Sequence, residues 1–540
     1  MRKKGTSFSA LALSVLVALT SMTTTACSGN GGSASSTGSA ASANSATASQ
    51  SPAKPKSGGI LKIATGQTQP VLGYTPKITN NAATMFLRIN FDSLCFYDNN
   101  GKLVEDLAEK WETNPSAKTL TFHLRDGVKF SDGTDFNAEA VKWNIEQYQL
   151  MKRTETANVA SIDTPDAKTV VFHLKTWNSS ALTSIGFFVY YMSPTAVKAH
   201  GATWAESNPV GTGPFVLTNW QKGVSMKYAK NTKYWHQGEP YLDGIDITVI
   251  SDVMTIESTF QSGEADMIAY CDINNLKDLV GNNNYVRETN YNGVGVEGWG
   301  LIPNSADPKS PFSKIQVRQA MCYAIDTDKI VKAVGMGYMV PTNQWAAPSA
   351  PTYSKDVQGY PYNPTKAKQL LTEAGYPNGF DTKIYTASSG FFSDAITAAA
   401  QELTAVGIRA KPEVVDGTKS NSMMANGCDG IMIHYNSISP DLGLYMGRHL
   451  DPNGAFYAKM IQHPQDALDL LNKIRTATDD KTKLNYSLEL QKMIYDKYAL
   501  FGKPMAVQAI NTLKSSYVMD DNFHKPNASA WTPWSAWLNK

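Results

Sequence analysis

The stretch LAEKWETNPSAKTLTFHLRDGVKFSDGTDFNAEAVKW, Leu107–Trp143, decides how the rest of the chain is read. Its centre, Thr119–Arg125, places Leu120, Phe122 and Leu124 at every second position, the period of a half-buried strand. SDGTDF follows as a tight turn in which Gly133 tolerates a positive φ. NAEAVKWNIEQYQ beyond the turn has helical spacing, and LVEDLAEKW before the strand also reads as helical. A second strand with the same alternation, TVVFHLK, comes at Thr169–Lys175.

Working outward, GGILKIATG (Gly58–Gly66) reads as a first strand and NAATMFLRINFDSL as a helix. In SPTAVKAHG, Ser193 is placed to cap a helix whose first position is Pro194. From Gly211 the texture turns to strands: GPFVLTNW, VSMKYAKN and IDITVIS, then a helix, MTIESTFQSG, and the strand ADMIAY. The second half alternates helix and strand through IQVRQAMCYAIDTDKIVKAVG, PTKAKQLLTEAG, TKIYTAS, SDAITAAAQELTAVG, AKPEVVD and GIMIHYN. It closes on the long helix DKTKLNYSLELQKMIYDKYAL and the strand PMAVQAI. Helices of this length between short strands make βαβ units and a mixed or parallel sheet, so the class is α/β.

The N-terminus is different material. Arg2, Lys3 and Lys4 precede an apolar run from Phe8 to Thr20, too short to cross a bilayer of about 30 Å but of secretory-signal length. It ends at Ala26-Cys27, which resembles a bacterial lipobox, although Thr24 stands where leucine is usual. The Gly/Ser/Ala/Asn-rich residues 28–57 lack the apolar surface needed to fold and would act as a coil with an end-to-end distance of roughly 30 Å. Cys27 is therefore expected to be a lipidated anchor, and residues 28–57 its tether.

Beyond the tether about 480 of the 540 residues remain, more than one core accommodates. The net charge of +2, from 49 basic and 47 acidic residues, gives no global field for nucleic acid. Cys95, Cys271, Cys322 and Cys428 fit no metal-ligand spacing; Cys322 reads as a buried thiol, and a disulfide among the four is left open. There is no G-x-S-x-G, H-E-x-x-H or Walker pattern. GVGVEG, Gly293–Gly298, matches G-x-G-x-x-G, but no helix follows to hold a pyrophosphate, so it reads as a strand. His434 and His449 are close enough in sequence to meet, yet nothing commits them to a metal.

Four stretches, in order, carry a resemblance: the opening segment; VGTGPFVLTNW with NTKYW; FSKIQVRQAMCYAIDTDKIV; and YNPTKAKQLLTEAGY. Together they resemble the solute-binding proteins of peptide and nickel ABC importers, family 5. That resemblance implies a two-lobe periplasmic-binding-protein-like fold of class II, with an extra subdomain and a hinge. It also implies that 1–26 is a lipoprotein signal and 27–57 the anchored tether. Lobe I would combine 58–85 with 210–303 and 498–540, the subdomain would be 86–209, and lobe II 304–497. The implied function is capture of small peptides for an ABC permease and its ATPase by a monomer held at the membrane outside the cytoplasm. No catalysis, cofactor, metal or nucleic acid is expected. A metal–chelator complex or oligosaccharide is the alternative guest, and a secreted hydrolase using the cleft is the rival from another class.

The resemblance also nominates site residues. In dipeptide- and oligopeptide-binding relatives an aspartate three residues after a tryptophan pairs with the ligand's α-amine. With Tyr435 in the tryptophan's place the position three later is Ile438, so either Asp441 serves or no amine is anchored there. LGYTP resembles the loop of nickel-binding relatives whose tyrosine faces the ligand, which maps to Tyr74. GFFVYYMSPT brings Tyr190 where those relatives carry an arginine, and Arg448 stands either as the replacement carboxylate partner or as a solvated loop residue. The expected pocket is Tyr74, Trp345, Tyr435, Asn436, Asp441 and Arg448, backed by Tyr190 and Trp299.

Overall fold

The structure is a computed structural model that describes residues 54–78, 86–98, 102–271, 273–288, 296–387, 390–452, 454, 456–509, 511–519 and 533–540. The signal segment, Cys27, the tether to residue 53 and the first part of GVGVEG lie outside those residues. No helix among the described residues is long and apolar enough to cross a membrane.

Two large sheets carry the fold. The first runs, in spatial order, Tyr285–Glu288, Thr512–Ser515, Met267–Ala269, Ile60–Thr65, Gly244–Val249, Ser225–Lys230 and Phe215–Gln221. Ile60–Thr65 pairs in parallel with both of its neighbours, and the outer pairs are antiparallel. The second runs Val340–Pro341, Lys503–Ala509, Val296–Pro303, Gly430–Ile438, Phe380–Ala387 and Ile408–Val415. One of its faces packs Trp299, Leu301, Met321 and Leu403 into a core, and the other packs Trp345, Tyr385, Tyr445 and Leu490. Coverage on both faces is what a sheet with parallel pairs requires.

A third, four-stranded antiparallel sheet forms the subdomain: Ala108–Asn114, Thr119–Leu124, Thr169–Leu174 and Val159–Asp163. Leu120, Phe122 and Leu124 point into its core with Val170, Phe172 and Leu174, as their period of two demands. The turn follows with Gly133 at φ 92°, and Asn137 caps the helix Ala138–Leu150 by accepting from the Ala140 N–H at 2.9 Å. Ser193 caps Pro194–His200 in the same way, at 3.1 Å.

Two readings of the sequence need correction. LVEDLAEKW is not helical: Leu103–Glu105 and Ala108–Asn114 are strands. Val104, Leu107, Ala108 and Trp111 do fall at helical spacing, but the NPSA turn reverses the chain and pairs Ala108–Asn114 with Thr119–Leu124. As an edge strand exposed over most of its length it shows no alternation, so local pattern misses it. NAATMFLRINFDSL yields only a single 3₁₀ turn, Leu87–Ile89, and residues 81–85 lie outside the described set. The pairing of two further segments also departs from the expected division. The expected division puts Val296–Pro303 and Lys503–Ala509 in lobe I, yet both pair within the second sheet. The chain therefore leaves the first sheet after Glu288 and returns to it at Thr512, and the same two segments are hydrogen-bonded neighbours on each side.

The link GTGPF owes its glycines to crowding. A Cβ on Gly211 would lie 2.1 Å from the Asn90 carbonyl oxygen and one on Gly213 2.5 Å from the Asn90 carbonyl carbon. Beneath this contact sits a buried charge cluster. Arg88 reaches Asp106 at 2.5 Å and Ser93 at 2.8 Å, while Asp92 accepts from Thr212 at 2.9 Å and Trp235 at 3.1 Å. Cys95, Cys322 and Cys428 are free thiols, the first two fully buried.

Burial, followed by the neighbouring Asp106, pushes the Asp92 carboxyl up to about 6 against the pull of Arg88. The folded chain thus holds this proton more tightly than the unfolded chain, whose aspartate titrates near 4. Its contribution to stability is largest below pH 4 and declines as the pH rises to about 6. Melting curves of the protein and Asp92→Asn should therefore diverge between pH 4 and 6, the unsubstituted chain gaining as pH falls. Parallel curves would contradict the assignment.

Candidate functional site

A cavity of about 740 Å³ lies between the subdomain and the helices that follow the strand Gly430–Ile438. Its size is that of a small-ligand pocket. One wall is Tyr148, Arg153, Glu155, Trp177, Phe187, Phe188 and Tyr190, with Thr75, Ile78 and Leu87 of the preceding loop. The other is Ile438, Ser439 and Pro440 at the end of Gly430–Ile438, then Leu444, Gly447 and Arg448 of the next helix, with Asp451, Asn472, Arg475 and Thr476.

Trp177–Ser180 bridges the two walls of the cavity. The Trp177 indole N–H donates to the Ala477 carbonyl at 3.0 Å, the Ser179 N–H to Arg475 at 2.7 Å and the Ser179 hydroxyl to Ile474 at 2.9 Å. These carbonyls belong to the end of the helix Gln465–Thr476, where a helix leaves its last acceptors unsatisfied. Ser180 then donates to Asp441 at 2.8 Å. Asp441 caps the helix Leu442–Leu450 through the Leu444 N–H at 3.0 Å and pairs with Lys483 at 2.7 Å. Burial opposes its ionisation, but the Lys483 ammonium and these hydrogen bonds hold its carboxyl below the usual range.

Helix Leu442–Leu450 presents Leu444, Gly447 and Arg448 to the cavity from successive turns. The half-buried Arg448 guanidinium lies 4.5 Å from the centre of the Phe456 ring. Burial lowers its pKa, with Glu155 across the cleft pulling the other way. The remaining charged groups of the lining are mutually engaged. Arg153 grips Glu155 in two-point fashion at 2.7 and 3.1 Å, and Arg475 meets Asp451 at 2.6 Å. Arg153 also donates to the Ile78 carbonyl at 3.1 Å, fixing the Thr75–Ile78 loop.

Of the residues expected at the site, Tyr190 and Arg448 line the cavity. Tyr74, Trp345, Trp299, Tyr435 and Asp441 are not among its lining residues. Tyr74 is buried in an apolar cluster with Phe91 and Tyr190, its hydroxyl donating to Gln147 at 3.2 Å; its neighbour Thr75 faces the cavity instead. Trp345 is fully enclosed, 4.7 Å from Phe501 and 5.0 Å from His434 between ring centres. Trp299 is core, edge-on to Phe392 at 5.7 Å. Tyr435 donates its hydroxyl to the buried Glu297, away from the lining. Asn436 lies on the strand Gly430–Ile438, and its side chain is outside the described residues. Asp441 is beside the cavity, but its carboxylate is taken up by Ser180, Lys483 and the helix cap. His434 and His449 do meet, at 5.4 Å between ring centres, within that core; among the described residues no three His, Cys, Asp or Glu side chains group as metal ligands.

Sequence reasoning misses Arg153, Glu155, Trp177, Asp451 and Arg475. Arg153-Thr-Glu155 and Asp451 carry no local motif, and Arg475 reads as an ordinary last-turn cation of a helix. Phe187 and Phe188 are within reach of it, since they stand in GFFVYYMSPT beside Tyr190.

Comparison with known proteins agrees with this geometry. The family model for bacterial extracellular solute-binding proteins, family 5 (middle), matches residues 102–457. The glutathione-binding protein GsiB of Escherichia coli O1:K1 is 30% identical over 397 residues, covering 68% of this chain and 75% of its own length. Among solved structures, the periplasmic binding protein DppA from Helicobacter pylori, in complex with the peptide STSA, has a TM-score of 0.74 at 23% identity. It covers 90% of this chain and 99% of its own. NikA from Staphylococcus aureus, in complex with Ni(L-His)2, has a TM-score of 0.73 at 19% identity, covering 89% and 100%. At these identities the two structures speak for the fold. With its two sheets, its cavity and a family match over residues 102–457, the chain belongs to the bacterial extracellular solute-binding proteins of family 5, the binding proteins of peptide and nickel ABC importers.

Proposed function

We propose that this protein captures short peptides between its lobes and delivers them to an ABC permease while Cys27, lipidated, holds it at the outer face of the cell membrane. The observation that carries the reading is the cavity of about 740 Å³, walled by two different parts of the fold and holding Arg448 with no carboxylate at ion-pair distance among the described residues. A peptide carboxylate is a natural partner for that guanidinium. Asparagine and threonine side chains around the wall suit peptide N–H and C=O groups. The glutathione-binding protein GsiB, and DppA in complex with the peptide STSA, support a guest of this size. The protein acts as a carrier and not as an enzyme.

Binding to the folded state alone raises stability by mass action, about 2.7 kcal/mol at a hundredfold excess over Kd. A panel of di- to tetrapeptides should therefore contain members that raise the melting temperature in calorimetry. A panel with no effect would remove the peptide reading.

Closure brings Ser180 to Asp441, and a hydrogen bond to a charged group contributes about 1.5–3 kcal/mol. Ser180→Ala should therefore weaken binding of any such peptide about tenfold by isothermal titration, mainly through faster release, with little change in unfolding midpoint. Unchanged affinity would show that closure does not depend on this contact. For the anchor, Cys27→Ala should move the protein from the membrane fraction to the soluble extracytoplasmic fraction. Continued sedimentation with membranes would exclude lipidation at that residue.

A further inference from the structure

The charges lining the cavity do not balance, and the way they fail to balance points to the chemistry of the guest. Three guanidinium groups, Arg153, Arg448 and Arg475, face two carboxylates, Glu155 and Asp451. Both carboxylates are occupied: Glu155 by the two-point grip of Arg153, Asp451 by Arg475 at 2.6 Å. Asp441, the next acid along the chain, is turned toward Ser180 and Lys483. The strand end that enters the cavity offers Ile438, Ser439 and Pro440, which carry no charge. Arg448 alone has no carboxylate at ion-pair distance among the described residues; Phe456 supports it at 4.5 Å.

An ammonium enclosed here would lose its hydration and could only share a carboxylate already held by an arginine, adding to the surplus positive charge of the lining. A carboxylate would meet Arg448 directly and neutralise the single surplus charge. We infer that the site takes a guest by one carboxylate at Arg448 and has no subsite for a free α-ammonium, so that N-acylated peptides and N-acyl amino acids are bound as well as free peptides. This rests on the peptide-carrier reading above for the kind of backbone bound, but the charge requirement belongs to the cavity itself. It sets this chain apart from a receptor that measures a peptide from its amino end: the amino end is tolerated here, and the carboxyl end is held.

A test uses the full folded protein and a side-chain-randomised tripeptide library in four end-group forms: free, N-acetyl, C-amide, and doubly blocked. A fifth pool holds N-acyl amino acids and short dicarboxylic acids. Retention is read by native mass spectrometry and affinities of retained members by titration. The N-acetyl pool should be retained at least as well as the free pool, and the two amide pools at least tenfold less. In Arg448→Met the difference between acid and amide should vanish, with the circular dichroism spectrum unchanged. Loss of binding on N-acetylation overturns the proposal, and so does equal retention of acids and amides by the unsubstituted protein. If no peptide pool is retained but the fifth pool is, the peptide reading fails while the carboxylate subsite stands. If none is retained, both fall.

Discussion

One buried carboxylate organises the working part of this molecule. Asp441 accepts from the Leu444 N–H, from Ser180 of the opposite wall and from the Lys483 ammonium. The first contact starts the helix Leu442–Leu450, the second joins the two walls, and the third compensates the charge that burial would otherwise penalise. Because Arg448 rides on the last turn of that same helix, the position of this guanidinium and the joining of the cavity's walls are set by one group. Arg448 and the contact at Ser180 are thus linked through one helix and its cap.

The larger frame has a different origin. Two chain crossings connect the sheets, and the segments that cross are hydrogen-bonded neighbours on either side. Paired crossings leave rotation about their own line as the easy motion between the sheets, whereas sliding would break ladder hydrogen bonds on both sides. The subdomain is fastened separately, by the Arg88, Asp92 and Asp106 cluster and by the close approach of Gly211 and Gly213 to Asn90.

How much of this can be read from the chain depends on how much of it is local. Thr119–Leu124 and Thr169–Leu174 declare themselves because each buries one face, and the helices of the second half because Val317, Ala320, Met321 and Ala324 fall along one stripe. The edge strand Ala108–Asn114 is not legible, since its partner and not its own pattern makes it a strand. The site is legible in part. Arg448 and Tyr190 can be nominated from the segments that hold them, while Trp345 and Trp299 cannot be told from core, because a large ring beside prolines or glycines looks the same in either setting. Arg153, Glu155 and Arg475 escape because their meaning lies in pairs that only folding brings together.

The third sheet has a consequence for descent. Its subdomain supplies Arg153, Glu155 and both phenylalanines of one wall, yet contributes no strand to either large sheet. Substitutions there can reshape what the protein accepts without disturbing the ladders on which its architecture depends. In a fold built this way the lining of one wall can diverge while both large sheets stay as they are.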